Sequence, residues 1–200
     1  GAFNDEIIAV DVMDRKRNTV TINIDEEPGR ANFDKMDKLR PAFEKDGTVT
    51  AGNASKINDG AAGVLLMSET RATELGFTPL VRIHSQASAA QEPEWFTTAP
   101  IKAISKVLEK AGMEVADIDL WEINEAFAPV AMAVMDDFNL DHSKVNVNGG
   151  AIALGHPIGA SGARTLTTLI HALKSQDLTT GLVTLCIGGG EASAMIVESI

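Results

Sequence analysis

"KVNVNGGAIALGHPIGASGARTLTTLIHALKS", residues 144–175, holds a short alternating strand (144–147), a run of small residues around His156 and a helix (159–175). A strand that passes through a small-residue loop into a helix is the repeating unit of layered α/β folds. The same rhythm continues on both sides. Upstream, "PLVRIHSQAS" (79–88) reads as a strand. "APIKAISKVLEKAG" (99–112) reads as a helix, with Pro100 in its first turn, apolar residues at Ile101, Ile104, Val107, Leu108 and Ala111, and Gly112 as its stop. "IDLWEI" (118–123) is a strand, and "EAFAPVAMAVMDDF" (125–138) a helix whose apolar residues nearly surround it, which predicts burial on all sides. Downstream, "TGLVTLCI" (180–187) and "ASAMIVESI" (192–200) are strands joined by "GGGE" (188–191). The order from residue 79 onward is β-α-β-α-β-α-β-β. It predicts an α/β domain with a mixed five-stranded sheet flanked by helices and closed by an antiparallel pair.

The first 78 residues are less regular. "IIAVDV" (7–12) and "NTVTINI" (18–24) alternate like strands, and Phe33 to Leu39 is helix-like and stopped by Pro41. "GVLLMS" (63–68) reads as a buried strand, followed by a helix that ends near Gly76.

Composition narrows the function. The chain has 200 residues, 44% of them hydrophobic, and a single cysteine, Cys186. No apolar run approaches the roughly 18 residues of a membrane span, and the N-terminal residues lack signal-peptide character, so a cytoplasmic location is the expectation. A lone thiol excludes an intrachain disulfide and leaves core packing or catalysis. The net charge of −11 argues against nucleic acid and anionic membranes as partners.

Three loops are expected at the C-terminal ends of strands, where open α/β sheets bind ligands: "NEAF" after Ile123, the stretch after Val147, and "GGGE" after Ile187. Each has an ordinary reading as well. Asn124 stands where a helix N-cap belongs, and Cys186 near the end of a buried strand suits core packing. His156 is different, because glycine at 155, 159 and 162 serves close approach of backbone or ligand more than it serves a structural histidine. Phosphate-loop, dinucleotide and nucleophile-elbow spacings are all missed, the last by one position at Ser161, and no metal-ligand spacing occurs. A thiol, an imidazole and an amide remain, a set suited to proton removal beside a thioester and to stabilising the enolate that results. A base beside an imidazole should form its thiolate at lower pH than a buried thiol does.

"GTVTAGNASKINDGAA" (47–62), "WEINEAFA" (121–128), "NVNGGAIALGHPIGASGAR" (146–164) and "CIGGG" (186–190) together resemble the successive motifs of the thiolases, closest to the acetyl-CoA acetyltransferase branch. The resemblance implies catalytic roles for four residues. Cys186 would be the acid/base, and His156 would activate the nucleophilic cysteine and help bind the thioester oxygen. Asn124 would hold the water of that oxyanion hole, and the Gly188 amide would serve a second one. Phe43, Ala51, Ser55, Ala126 and Phe127 match positions lining the coenzyme A tunnel, and Phe96 stands where a methionine often lines the pocket. The coenzyme A thioester, acetyl-CoA or acetoacetyl-CoA, is the implied substrate, with no covalently bound cofactor, and a homo-oligomer is implied. The resemblance also implies that the chain is a second half: residues 1–57 end the loop domain, 58–78 end the N-terminal domain, and 79–200 form the C-terminal domain. The nucleophilic cysteine would lie in a missing N-terminal half. The other readings are a noncatalytic module binding coenzyme A or a partner, and a longer-chain 3-ketoacyl-CoA thiolase.

Overall fold

A computed structural model describes residues 1–200. Six strands and five helices run in the order β1 (Val10–Met13), β2 (Thr19–Ile22), α1 (Glu69–Leu75), β3 (Val81–Ala90), α2 (Ala99–Ala111), β4 (Leu120–Ile123), α3 (Ala128–Phe138), α4 (Ala151–Leu154), α5 (Ser161–Gln176), β5 (Thr180–Cys186) and β6 (Glu191–Ser199). No helix is long and apolar enough to cross a membrane. β1 and β2 form a separate antiparallel hairpin, while the main sheet has the order β3-β6-β5-β4. In it β4 and β5 are parallel, and β6 runs antiparallel to both β5 and β3.

The sheet is mixed and flanked by helices as the pattern predicts, but it has four strands, not five. Residues 144–147 contribute only a single bridge, Val145 to Trp121. The reason lies one residue on. Asn146 has a left-handed backbone (φ 47°), and its carboxamide takes both bonds that a strand would have offered Ile123, accepting from the Ile123 N–H at 2.8 Å and donating to the Ile123 carbonyl at 2.9 Å. A side chain here replaces a length of strand.

Period-two alternation divides the core between the two faces of the sheet. On one face Trp121, Ile123, Leu182, Cys186 and Ile196 pack with Ala103, Ile104 and Val107 of α2 and with Val130 and Val134 of α3. On the other, Leu120, Val183 and Val197 pack with Leu166, Leu169, Ile170 and Leu173 of α5. Withdrawing each such leucine from water stabilises the fold by about 2 kcal/mol. The helix lies so close that a Cβ on Gly181 would come within 2.8 Å of Leu169. Glu122, between Trp121 and Ile123, is turned by the same alternation towards α5, where it is 2% exposed.

α2 ends as expected: Gly112 is left-handed (φ 66°) and the Met113 N–H returns to the Leu108 carbonyl at 3.0 Å. The helix-like segment after Phe33 is a 3-10 helix over residues 33–38 with no buried residue. Two expectations are corrected. α3 buries one face only, through Val130, Ala131 and Val134, while Met132 is exposed, because a single layer of neighbours covers it. Residues 63–68 form no strand, and Leu65 and Leu66 are 73% and 68% exposed. The apolar run marks a segment suited to burial, but no strand of this chain lies beside it to complete a ladder.

Candidate active site

The parallel pair β4/β5 creates the first functional position. Its register sets Ile123 opposite Thr184, and the ladder runs one residue further, with the Asn124 N–H donating to the Thr184 carbonyl at 3.0 Å. Asn124 is thereby held at the sheet edge, 1% exposed. It is not a helix cap, since α3 starts four residues later behind Phe127 with no side-chain cap. Its Nδ2 lies 3.3 Å from His156 Nε2, and its Oδ1 is buried without a partner. A buried acceptor without a donor is costly to fold, so this oxygen marks a place for a donor from solvent or substrate.

His156 reaches that point through a chain of special backbone positions. Gly149 (φ 80°) and Gly155 (φ 92°) bracket the single turn α4, and a Cβ on Gly155 would collide with the Asn58 carboxamide. The His156 N–H donates to the Lys56 carbonyl at 2.7 Å, pairing residue 156 with the loop before it. The ring Nδ1 stands 2.5 Å from the Ser161 hydroxyl, which itself donates to the Pro157 carbonyl at 3.0 Å.

Sequence reasoning missed the groups that hold this loop. Glu125 Oε2 accepts from the Ile152 N–H at the start of α4 (3.1 Å), and Oε1 accepts from Asn146 Nδ2 (3.1 Å). A Cβ on Gly150 would come within 2.6 Å of the Glu125 carboxyl, so glycine there is what lets the carboxylate in. The signal lay inside "NEAF", where Glu125 was overshadowed by Asn124. Ser161 was weighed only as a nucleophile; its position five residues after the histidine, in the first turn of α5, is the feature that matters.

Cys186 ends β5, two residues beyond the Thr184 that anchors Asn124, and is buried opposite Ala192. Burial pushes its thiol up from the usual cysteine range, against the expectation of an easily formed thiolate, because no cation lies beside it. Burial first and the Arg164 charge second push the His156 pKa down, so the ring is neutral at neutral pH. Next to the thiol, the Ile187 N–H donates to the Glu191 carbonyl (2.8 Å) and the Gly190 N–H to the Ile187 carbonyl (3.0 Å), closing a tight turn. Gly188 and Gly189 are exposed, and their N–H groups make no backbone hydrogen bond. Glu191 is exposed as well. Its carboxylate lies over Gly189, within 2.6 Å of where a Cβ there would stand.

Four of the five residues expected to line a coenzyme A tunnel lie together. Ser55 donates twice to the Ala126 carbonyl, from N–H (3.0 Å) and Oγ (2.9 Å), and the ring of Phe127 meets Phe43 at 6.0 Å and Phe96 at 6.2 Å, both edge-on. Ala51 stands apart, exposed in the preceding turn.

Beneath this site Glu122 is pushed up to about 8, chiefly by burial. Arg164 of α5 offsets this without reaching ion-pair distance. Glu122 Oε1 and Arg164 Nε and Nη1 all lack partners.

The comparisons agree with one another. Residues 77–199 match the model described as Thiolase, C-terminal domain, and residues 1–70 match Thiolase, N-terminal domain. The chain is 53% identical over 201 residues to the acetyl-CoA acetyltransferase of Escherichia coli, covering 100% of this chain and 51% of that protein. The crystal structure of the Bacillus anthracis acetyl-CoA acetyltransferase superposes with a TM-score of 0.95 at 46% identity, over 100% of this chain and 51% of that one. Human mitochondrial 3-ketoacyl-CoA thiolase in complex with CoA does so with a TM-score of 0.84 at 40% identity, over 95% and 48%. The chain thus spans about half the length of the curated relatives it matches. With both domain models matched in order and the fold shared along its whole length, the chain belongs to the thiolase family.

Proposed function

We propose that this chain carries the C-terminal half of the catalytic machinery of an acetyl-CoA C-acetyltransferase, which joins two acetyl-CoA molecules to acetoacetyl-CoA or cleaves the product with coenzyme A. The observation that carries the reading is the Asn124–His156 pair at the end of β4, with an unpartnered buried oxygen, where the paired strand β5 ends in the Cys186 thiol and the turn of Gly188 and Gly189. In this reading a nucleophilic cysteine from a separate N-terminal half gives its proton to His156 and attacks the first thioester. The expelled coenzyme A thiolate takes the Cys186 proton, leaving an acylated enzyme and a Cys186 thiolate. Cys186 then removes a proton from the acetyl methyl of the second thioester. The enolate oxygen lies against His156 and a water held by Asn124 Oδ1, and the enolate carbon attacks the acyl-enzyme. The Gly188 N–H meets the oxygen of the resulting tetrahedral intermediate, whose collapse expels the nucleophilic thiolate. Phe43, Ser55, Ala126 and Phe127, with Ala51 in the exposed turn before Ser55, take the pantetheine arm. We place the loop-domain remnant at 1–57, the N-terminal remnant at 58–78 and the C-terminal domain at 79–200, in a cytoplasmic homo-oligomer.

The test is reconstitution. The chain is mixed with a separately produced N-terminal half of the Escherichia coli relative, and acetoacetyl-CoA cleavage is followed. Turnover is expected from the pair and not from the chain alone, and His156→Ala should lower it by about 10²–10³-fold. A folded pair that binds coenzyme A without turnover would leave the noncatalytic reading standing.

A further inference from the structure

A histidine that takes a proton from a thiol and a histidine that donates to a carbonyl oxygen need opposite states at the same ring nitrogen. Which comes first is set by what the other nitrogen does. His156 Nδ1 faces only the Ser161 hydroxyl, at 2.5 Å, and that hydroxyl has a carbonyl acceptor, Pro157, at 3.0 Å. A hydroxyl has one proton to give. If it goes to Nδ1, the Ser161 oxygen is left facing the Pro157 oxygen with no hydrogen between them. If it goes to Pro157, the hydroxyl oxygen accepts from Nδ1–H and both contacts are satisfied. The other side of the ring agrees: Nε2 faces Asn124 Nδ2, a donor, at 3.3 Å. Ser161 is 1% exposed, so no solvent competes for either bond.

We propose that Ser161 is the positioning residue that fixes the tautomer of His156, holding the proton on Nδ1 and presenting Nε2 to the site as a lone pair. The inference rests on the function proposed above for its mechanistic meaning but not for its measurement. In mechanism it imposes an order. The Nε2 lone pair first accepts the proton of the incoming thiol, giving a thiolate and an imidazolium. Only then does the new Nε2–H donate to the thioester oxygen, while Nδ1–H stays on Ser161. That Nε2–H stays in place for the enolate oxygen, and the ring returns to its starting tautomer only when the nucleophilic thiolate expelled at the end takes the proton back.

The experiment uses this chain alone, ¹⁵N-labelled at histidine, with ring nitrogen shifts read above the range where imidazoles titrate. The four histidines, His84, His142, His156 and His171, are told apart by loss of one signal set in His156→Gln. The expected result is Nδ1–H for His156, with the tautomer ratio moving towards Nε2–H by about fivefold or more in Ser161→Ala, the population equivalent of one neutral hydrogen bond. Ser161→Cys, a weaker acceptor, should fall between; it also serves if Ser161→Ala does not fold. An Nε2–H ring in the unaltered chain overturns the proposal, as does an unchanged ratio in the folded Ala or Cys variant, which would give control to Asn124. Reconstituted activity is measured separately. A Ser161-set tautomer in an inactive pair would refute the function and leave the tautomer assignment intact.

Discussion

Glu122→Gln is the substitution whose effect follows most directly from burial. The carboxyl is enclosed between β4 and α5, one oxygen lacks any partner, and its pKa is pushed from 4.5 to about 8. A folded-state pKa above the unfolded one means that the folded chain keeps a proton the unfolded chain releases. The group's contribution to stability is therefore fully present below pH 4.5 and is lost as pH rises towards 8. Each pH unit in that window is worth about 1.4 kcal/mol, so the parent protein should lose about 3 kcal/mol between pH 5 and pH 7 from this carboxyl alone. Glutamine has nearly the same shape and nothing to ionise. Urea unfolding of both proteins at pH 5, 6, 7 and 8 should show similar stabilities at the acid end and a widening advantage for the variant above it. His156, Cys186 and Glu6 titrate in both proteins, so their effects cancel in the difference. Parallel stability curves would refute the reasoning and would mean that Arg164 holds Glu122 ionised.

Two further outcomes are expected. Cys186, buried and pushed up, should react slowly with iodoacetamide at neutral pH in the isolated chain, with the rate rising about tenfold per pH unit towards its pKa; fast alkylation at pH 7, checked by mass spectrometry, would show a cation beside the sulfur that the present geometry lacks. Gly190→Ala should destabilise by about 2–3 kcal/mol in urea melts, since residue 190 has φ 96° and a new Cβ would run into the Gln91 carbonyl; an unchanged midpoint would mean that this turn rearranges freely.

What the sequence disclosed depended on whether an element holds its own instructions. α2 was legible because Ile104, Val107 and Leu108 define its buried face and Gly112 its end. "GVLLMS" misled because a strand is defined by its neighbours: the apolar run announces burial and is silent on whether a partner is in the same chain. "KVNV" misled for a subtler reason, since the Asn146 side chain imitates the backbone of the strand it replaces. At the site, His156 and Asn124 stood out through the glycines and the strand end, and the structure joins them at 3.3 Å. Glu125 and Ser161 did not, because their importance is relational, arising from a helix start and a ring nitrogen brought to them by folding.

The attachment of His156 to Lys56 divides the site between two levels of local stability. Every buried residue of the two hydrophobic clusters lies between 89 and 197, so the opening third of the chain can open at the cost of edge contacts such as Phe43 on Phe127 while the clusters stay closed. The backbone amide of His156 belongs by sequence to the protected part, yet its hydrogen bond ends on that opening third. Its hydrogen exchange should follow the easy, sub-global opening of the loop, while amides a few residues on in α5 wait for global unfolding. The backbone at His156 is thus tied to the opening third of the chain, while its ring is held by Ser161 of α5 and Asn124 of β4, so docking of residues 53–57 completes an order that the core begins.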